Sequence, residues 1–314
     1  MKSISVVGSL NIDHILTVEK LPSFGETITS INYELSEGGK GSNQAAALGK
    51  LGLEVHIFGK VGNDEFGQLL INSLGEANVN TKGLVIDPNE KTGAAFITVD
   101  NNGNNTIVLN SGANRSFDLQ DINKFKNLIF KNDILLLQME IPKEIVVYLI
   151  NEARKLEKTI LLNLAPAIHL NSEILNKLDY LIINETEMEF LTDIKFLENN
   201  LDIEIRSLRK FFYKNLIITL GPMGAAYSIN NQNFEIVPTF NVVTVDKTAA
   251  GDAFIGGFIF GLVNNMDIKT CIEMGNANGS ISTTARGALK SLPDINTFHK
   301  FLVKNGFKIL DSMN

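Results

Sequence analysis

The sequence predicts an α/β protein with a mostly parallel central sheet, helices on both faces, and a small antiparallel sheet that stands apart as a lid. Two patterns carry this prediction. Short apolar runs of strand length alternate with segments of helical periodicity, as in sheets whose crossovers are helices. Two other segments alternate polar and apolar residues between turn residues, which is typical of antiparallel strands. Hydrophobic residues form 44% of the 314-residue chain, enough for a sizeable core.

The elements of the body follow one another along most of the chain. An apolar strand ends at Gly8, and helical spacing of apolar residues is clear in the segment 66–79. Further strands are predicted at 54–62, 133–140, 159–166, 178–184 and 215–221. Further helices are predicted at 43–52, 143–157, 187–192, 249–265 and 268–285.

The lid is predicted from the two segments that break this rhythm. The motif "NNGNN" at 101–105 is a hairpin signal. We assign residues 11–38 and 92–110 to the lid, and the body then comprises residues 1–10, 39–91 and 111–314. Exposed strand edges pair readily, so we expect a homodimer through the lid strands.

Composition excludes several classes of function. The formal net charge of −7 argues against a nucleic acid or an anionic membrane as partner, since both require a basic surface. The single cysteine, Cys271, excludes an internal disulfide and a cysteine-based metal cluster. The N-terminus lacks the layout of a signal peptide, and the apolar runs are too short to span a bilayer. We therefore expect a cytoplasmic protein.

Familiar phosphate-binding and hydrolase motifs do not occur in the chain. There is no G-x-x-x-x-G-K-[ST], no G-x-G-x-x-G and no G-x-S-x-G, and the four histidines show no metal-ligand spacing. A different device is suggested by "TAAGDAF", residues 248–254. Small residues at a helix N-terminus let an anion approach the unpaired backbone N–H groups, and an adjacent carboxylate can accept a proton from an attacking hydroxyl. An acid in the first turn can also simply complement the helix dipole.

Two long segments resemble the signatures of the ribokinase-like carbohydrate kinases: "GGKGSNQAAALGKLG" near the N-terminus and "VDKTAAGDAFIGG" near the C-terminus. Shorter matches occur in the family's order: "GSLNID", "GKVGNDEFG", "TGAAFITVD", "LNSGAN", "LLLQMEIP", "LNLAPA", "INETE", "ITLGPMG" and "NANGSISTTARGA". The resemblance spans nearly the whole chain. It implies the ribokinase-like fold, a three-layer α/β/α body with a β lid.

The resemblance implies ATP-dependent phosphorylation of D-ribose at its 5-hydroxyl. Asp252 corresponds to the catalytic base of the family, and the backbone of Ala249, Ala250 and Gly251 corresponds to its anion hole. The lid is expected to exclude water, which would otherwise hydrolyse ATP. Two alternatives stay open: a kinase of another sugar or a nucleoside, such as deoxyribose, and a sugar-binding sensor that kept the fold without catalysis.

The sugar site is expected from positions that match the family. Besides Asp252, these are Asn11, Asp13, Gly39, Lys40, Asn43 and Glu140. Carboxylates accept hydrogen bonds from hydroxyls, and an amide both donates and accepts. Ordinary structural roles are the alternatives: Asp13 capping a turn, Lys40 in solvent, and Asn43 as a helix N-cap.

The nucleotide and metal sites follow from the same resemblance. Residues expected to bind ATP are Asn184, Thr219, Gly221, Gly224, Gly251 and Asn276. Glu187 is expected to hold Mg²⁺ through water, and the alternative is a capping box that it forms with Asn184. A monovalent cation, K⁺, is expected at Asp246, Thr248, Ser282, Ala285, Gly287 and Ser291. Lys247 and Lys290 depart from the family's pattern, and their charge would weaken that site.

Overall fold

The computed structural model describes residues 2–195, 214–230 and 234–307; the predicted body segment 111–314 also includes residues outside these ranges. The larger sheet has nine described strands in the order β13-β12-β11-β10-β9-β8-β1-β4-β5. Their bounds are β1 Ile4–Val7, β4 Val55–Gly62, β5 Val79–Asp87, β8 Ile134–Gln138, β9 Thr159–Asn163, β10 Tyr180–Asn184, β11 Asn215–Thr219, β12 Ala225–Ser228 and β13 Glu235–Val237.

The larger sheet is parallel from β5 to β11, and β12 and β13 add two antiparallel pairings at one edge. The strand order changes direction at β1, which pairs with β4 on one side and with β8 on the other. Ligands of open α/β sheets bind at such a switch point, beyond the carboxyl ends of the strands.

Helices cover both faces of this sheet, so the predicted three-layer body is confirmed. One face packs against α1, α2, α7, α8 and α9, and the other packs against α3 to α6. Their bounds are α1 Lys40–Lys50, α2 Glu65–Glu76, α3 Leu119–Lys131, α4 Lys143–Lys155, α5 Ser172–Leu175, α6 Glu185–Thr192, α7 Ala250–Val263, α8 Ile268–Ser282 and α9 Ile295–Lys304. Within the described ranges, no helix has the length and apolar character that crossing a bilayer requires.

The smaller sheet contains four strands in the order β3-β2-β6-β7. They are β2 Asn11–Val18, β3 Asn32–Gly38, β6 Gly93–Asp100 and β7 Asn105–Asn110. The outer pairings are antiparallel, including the predicted hairpin, whereas β2 and β6 pair in parallel. The strands lie within the two segments that we predicted as a lid, and their action as a separate lid stays a prediction.

Several boundaries differ from those predicted. Helix α1 begins at Lys40, not at residue 43, because Gly39 adopts φ 91° and turns the chain directly from β3 into the helix. Helix α2 ends at Glu76, and β5 follows from Val79 within the segment predicted as helical. The sequence analysis did not predict β5, β12, β13, α3, α5 or α9.

Candidate active site

The candidate site lies where the loops after β1 and β8 meet the first turns of α1 and α7. Gly39 forms the junction between β3 and α1. A Cβ atom there would lie 2.8 Å from the backbone nitrogen of Asn11 and 2.9 Å from the carbonyl oxygen of Ser9. Only glycine fits at this positive φ and this distance. The backbone at Gly39 therefore closely approaches the backbone of Ser9 and Asn11.

Asp252 lies in the first turn of α7 and is 8% exposed. Its Oδ1 accepts a hydrogen bond from Gln44 Nε2 at 2.8 Å, and its Oδ2 accepts one from Asn43 Nδ2 at 3.0 Å. Asn43 lies inside α1, whose N-cap is Gly39, so the alternative of Asn43 as an N-cap is wrong. Two residues of α1 thus hold both oxygens of a carboxylate on α7.

Charged groups surround this carboxylate. Burial raises the pKa of Asp252. The charge of Lys40 and the two amide hydrogen bonds lower it and offset only part of this rise. Burial lowers the pKa of Lys40, but the charges of Asp252, Glu140 and Glu187 raise it by more, so the pKa lies above its ordinary value. Lys40 therefore stays charged near neutral pH and favours the ionised form of Asp252.

The predicted sugar-binding acids lie beside Asp252. Burial, followed by the charges of Glu140 and Asp252, raises the pKa of Asp13 to about 7. Glu140 Oε2 accepts hydrogen bonds from Ser9 Oγ at 2.5 Å and from the backbone nitrogen of Lys40 at 3.1 Å. Glu140 thus also stabilises the N-terminus of α1, a role that the sequence did not show.

Asn11 is almost fully buried at the start of β2. Its Oδ1 accepts a hydrogen bond from Asn114 Nδ2 at 2.8 Å. Asn114 also bonds both backbone groups of Leu10, at 2.9 and 3.0 Å. These bonds fix the amide of Asn11 where the chain passes from the larger sheet to the smaller one.

The predicted anion hole forms the N-terminus of α7. Ala249 has φ 59° and is an N-cap without a side-chain oxygen. The Ala250 N–H donates to the carbonyl of Lys247 at 3.2 Å, whereas the N–H groups of Gly251 and Asp252 make no hydrogen bond within the described chain. A Cβ atom at Gly251 would meet no atom within 4 Å. The first turn of α7 therefore has two unpaired amides, and open space lies beside Gly251.

A cleft of about 680 Å³ adjoins these amides. Ala250, Gly251 and Lys247 line it. All the residues predicted to bind ATP line the same cleft: Asn184, Thr219, Gly221, Gly224, Gly251 and Asn276. The structure thus brings these six positions together beside the predicted anion hole.

Two of these cleft residues, Asn184 and Asn276, also have structural roles. Asn184 and Glu187 form a capping box, in which Asn184 Oδ1 accepts from the Glu187 nitrogen at 2.9 Å and Glu187 Oε2 accepts from the Asn184 nitrogen at 2.7 Å. The capping alternative is therefore correct, and the box uses one carboxylate oxygen of Glu187. Asn276 Nδ2 donates to the carbonyls of Val237 and Pro238 at 2.9 and 3.2 Å, so this amide holds the end of β13.

The residues predicted to bind a monovalent cation lie around the loop before α7. Asp246 Oδ1 accepts from the Thr248 nitrogen and hydroxyl at 2.9 and 2.7 Å, and its Oδ2 accepts from the Gly287 nitrogen at 2.9 Å. Burial opposes the ionisation of Asp246, but these bonds lower its pKa. Ala285 bonds the carbonyl of Ser282, and Ser291 bonds that of Ala288. Binding of an ion there stays a prediction.

Besides Ser9 and Asn114, three polar residues near Asp252 were not predicted: Gln44, Gln138 and Asn163. A signal was available for each. Gln44 follows Asn43 inside a signature motif, and the other two close the apolar strands "ILLLQ" and "TILLN". A polar residue at the carboxyl end of a buried parallel strand lies where ligands bind.

Known proteins resemble this chain over nearly its whole length. The family model described as "pfkB family carbohydrate kinase" matches residues 1–295. A ribokinase of Haemophilus influenzae is 35% identical over 295 residues, covering 93% of this chain and 95% of the relative. A deoxyribokinase of Salmonella typhi is 34% identical over 304 residues, covering 96% and 99%. The structure of an Arabidopsis thaliana ribokinase complexed with ribose and ATP superposes with a TM-score of 0.87 at 29% identity, covering 98% and 99%.

Proposed function

The chain belongs to the pfkB family of carbohydrate kinases, and on that premise we propose that it transfers the terminal phosphoryl group of ATP to the 5-hydroxyl of D-ribose. One observation carries the proposal. The Asp252 carboxylate meets the polar side chains of α1, while Gly251, whose amide is unpaired in the same helical turn, lines the cleft. In this proposal, a base and an anion hole stand side by side between a sugar site and a nucleotide site.

In the proposed reaction, Asp252 accepts the proton of the sugar hydroxyl as its oxygen attacks the terminal phosphorus. The new O–P bond forms while the bond to the bridging oxygen of ATP breaks, and ADP leaves. The amides of Gly251 and Asp252 stabilise the negative charge on the transferred group. Burial raises the pKa of Asp252, and the charge of Lys40 partly offsets that shift, so Lys40 favours the ionised form that accepts the proton.

Oxygen donors near the cleft suit the Mg²⁺ that accompanies ATP. Glu187 has one carboxylate oxygen outside its capping box, and Asn184 lines the cleft beside it. Magnesium keeps several waters, so these groups would hold it through water, and the bound ion would neutralise phosphate charge.

The sugar itself is proposed from the polar groups beside Asp252. Asp13 and Glu140 supply acceptors for hydroxyls, and Asn43 supplies a donor. The similarity to a deoxyribokinase makes 2-deoxy-D-ribose the second candidate.

An assay of ADP release from ATP separates these candidates. It compares D-ribose, 2-deoxy-D-ribose, a panel of nucleosides and no acceptor. The proposal expects the highest kcat/KM with D-ribose and ³¹P NMR of the product showing a 5-phosphate. A preference for deoxyribose or a nucleoside overturns the choice of sugar, and sugar binding without turnover identifies a non-catalytic sensor.

A monovalent cation and a homodimer complete the proposal. K⁺ near Asp246 would order the loop that presents the anion hole, and the Asp246 carboxylate, which accepts hydrogen bonds from the backbone of Thr248 and Gly287, supports this role. Equal rates in KCl, NaCl and a salt without a small cation would contradict this role of K⁺.

The smaller sheet exposes apolar side chains that would be buried between two copies: Tyr33, Leu35, Phe96, Ile107, Val108 and Leu109. Light scattering that gives a monomer mass at micromolar concentration would contradict the dimer.

A further inference from the structure

Three side-chain amides form a buried group behind the Asp252 carboxylate. Gln138 ends β8 and Asn163 ends β9, and the two residues are direct partners across these parallel strands. Gln44 extends from α1 toward both of them. Gln44 and Gln138 are fully buried, and Asn163 is 8% exposed. Buried amides without partners are costly, so their hydrogen bonds define their orientation.

The hydrogen bonds allow one orientation of Gln44. Asn163 Nδ2 donates to the carbonyl oxygen of Ile182 at 3.3 Å, and that oxygen can only accept. Asn163 Oδ1 consequently faces Gln44 and accepts from its Nε2 at 3.1 Å. Gln138 Nε2 donates to Gln44 Oε1 at 2.5 Å. The second N–H of Gln44 is therefore directed at Asp252 Oδ1.

We propose that Gln44 is a positioning residue for Asp252, and that Gln138 and Asn163 hold its amide in the orientation that donates to the carboxylate. The proposal rests on the kinase function described above. A flipped Gln44 would place its carbonyl oxygen against Asp252 and repel the ionised carboxylate. Lys40, Glu140 and Asp13 also face Asp252, with charges of both signs. The local hydrogen bonds then decide how the carboxylate is presented to the sugar.

The first experiment replaces Gln44 by methionine, which keeps the length of the side chain and removes the donor. We expect kcat to fall roughly 10- to 100-fold, the effect of losing a hydrogen bond to a charged group, with KM for ATP and the Kd of the sugar nearly unchanged. The acidic limb of the kcat–pH profile should move to higher pH, because the ionised carboxylate loses a stabilising bond.

The matched control is Gln68→Met. Gln68 lies on the exposed side of α2, where its amide bonds Asn72 at 2.8 Å. Its kcat and pH profile should equal those of the wild-type protein. A Gln44→Met variant with wild-type kcat and pH profile would overturn the proposal.

The second variant, Gln138→Met, tests the inferred orientation. It leaves both hydrogen bonds to Asp252 in place but removes the donor that holds Gln44 Oε1. We expect the pH profile to move in the same direction with a smaller loss of kcat. A thermal melt shows whether each variant folds. If Gln44→Met does not fold, Gln138→Met alone tests the proposal. An unchanged pH profile in folded Gln138→Met contradicts the role of Gln138.

A measurement without turnover separates this inference from the kinase proposal. Carboxyl ¹³C NMR of protein labelled at aspartate, with the Asp252 signal assigned by its loss in Asp252→Asn, gives the pKa of Asp252 directly. The pKa should be higher in Gln44→Met than in the wild-type protein or Gln68→Met. A wild-type protein without sugar-dependent turnover overturns the kinase proposal, whereas an unchanged Asp252 pKa overturns only the role of Gln44.

Discussion

The two halves of the candidate site are built in different ways. On the sugar side, side chains of α1, α7 and the β8 loop bond one another: Asp252 is held by two amides, and Glu140 is held by Ser9 and the α1 backbone. On the nucleotide side, a cleft of about 680 Å³ is lined in part by glycine and threonine and ends at unpaired amides. Fixed side chains therefore shape one half, and open space with backbone donors shapes the other.

This difference follows from the chemistry of the proposed ligands. Sugar hydroxyls have specific directions, so they require donors and acceptors with fixed orientations. A phosphate accepts hydrogen bonds over a wide range of directions, and the end of a helix supplies several donors at once. We therefore expect substitutions on the sugar side to change catalysis or sugar affinity, and substitutions on the nucleotide side to change the use of ATP.

The largest effect is expected for Asp252→Asn, at the boundary between the two halves. The amide cannot accept the hydroxyl proton as a carboxylate does, so kcat should fall roughly 10²- to 10⁴-fold. Folding and sugar binding should persist, because the change removes a charge without changing the shape. Steady-state kinetics, a thermal melt and calorimetry of sugar binding test these points. Near-normal turnover would mean that another group is the base.

A smaller and more selective effect is expected for Gly251→Ala on the nucleotide side. The new methyl group would meet no protein atom within 4 Å and would project into the space in front of the amides. We expect kcat/KM for ATP to fall roughly 10²- to 10³-fold, as when one oxyanion donor is lost, with sugar Kd and melting temperature nearly unchanged.

Gly75→Ala is the control for this substitution, because a Cβ atom at Gly75 of α2 also meets nothing within 4 Å. It should leave both kinetic constants unchanged. If Gly251→Ala behaved in the same way, ATP would not approach these amides, and the contrast between the two halves would lose its basis.

The smallest effect is expected from the titration of Asp13 on the sugar side. Its pKa of about 7 lies above the ordinary value of 3.8, so the folded protein holds this proton more tightly than the unfolded chain. The free energy of unfolding should therefore fall as pH rises from 3.8 to about 7. The ionised carboxylate is the better acceptor for hydroxyls, so sugar KM should fall several-fold between pH 6 and pH 8.

Asp13→Asn removes both trends, because the amide does not titrate. Two measurements on both proteins test the prediction. Thermal melts are recorded from pH 3.8 to about 7, and sugar KM is measured from about pH 6 to about pH 8. Parallel pH dependence in the wild-type protein and the variant would show that Asp13 does not titrate near neutral pH.

Much of the fold followed from local pattern, because alternating strand and helix periodicity reports directly on which faces are buried. The strands β1, β8, β9, β10 and β11 and the hairpin of the smaller sheet were predicted in this way. The short antiparallel strands β12 and β13 were missed because they form at the edge of an existing sheet, and a run of three or four residues carries little periodicity of its own.

The candidate site, like the fold, was predicted from the sequence only in part. Motifs in the sequence were sufficient to select Asp252, the small residues before it, Asp13, Asn43 and Glu140, because the resemblance to the carbohydrate kinases preserves residue type and spacing. Spacing alone did not reveal the partners of these residues. Gln138 and Asn163 meet through the register of β8 with β9, and Gln44 reaches them because α1 packs across those strand ends.

By itself, the sequence determined the alternation of strands and helices over much of the chain and the residue types of the candidate site, since both are properties of neighbouring residues. The tertiary structure alone decided which amide holds which carboxylate oxygen, and that burial raises the pKa of Asp13 and Asp252. Hydrogen-bond direction and desolvation depend on residues far apart in the chain, and only folding brings those residues within contact distance.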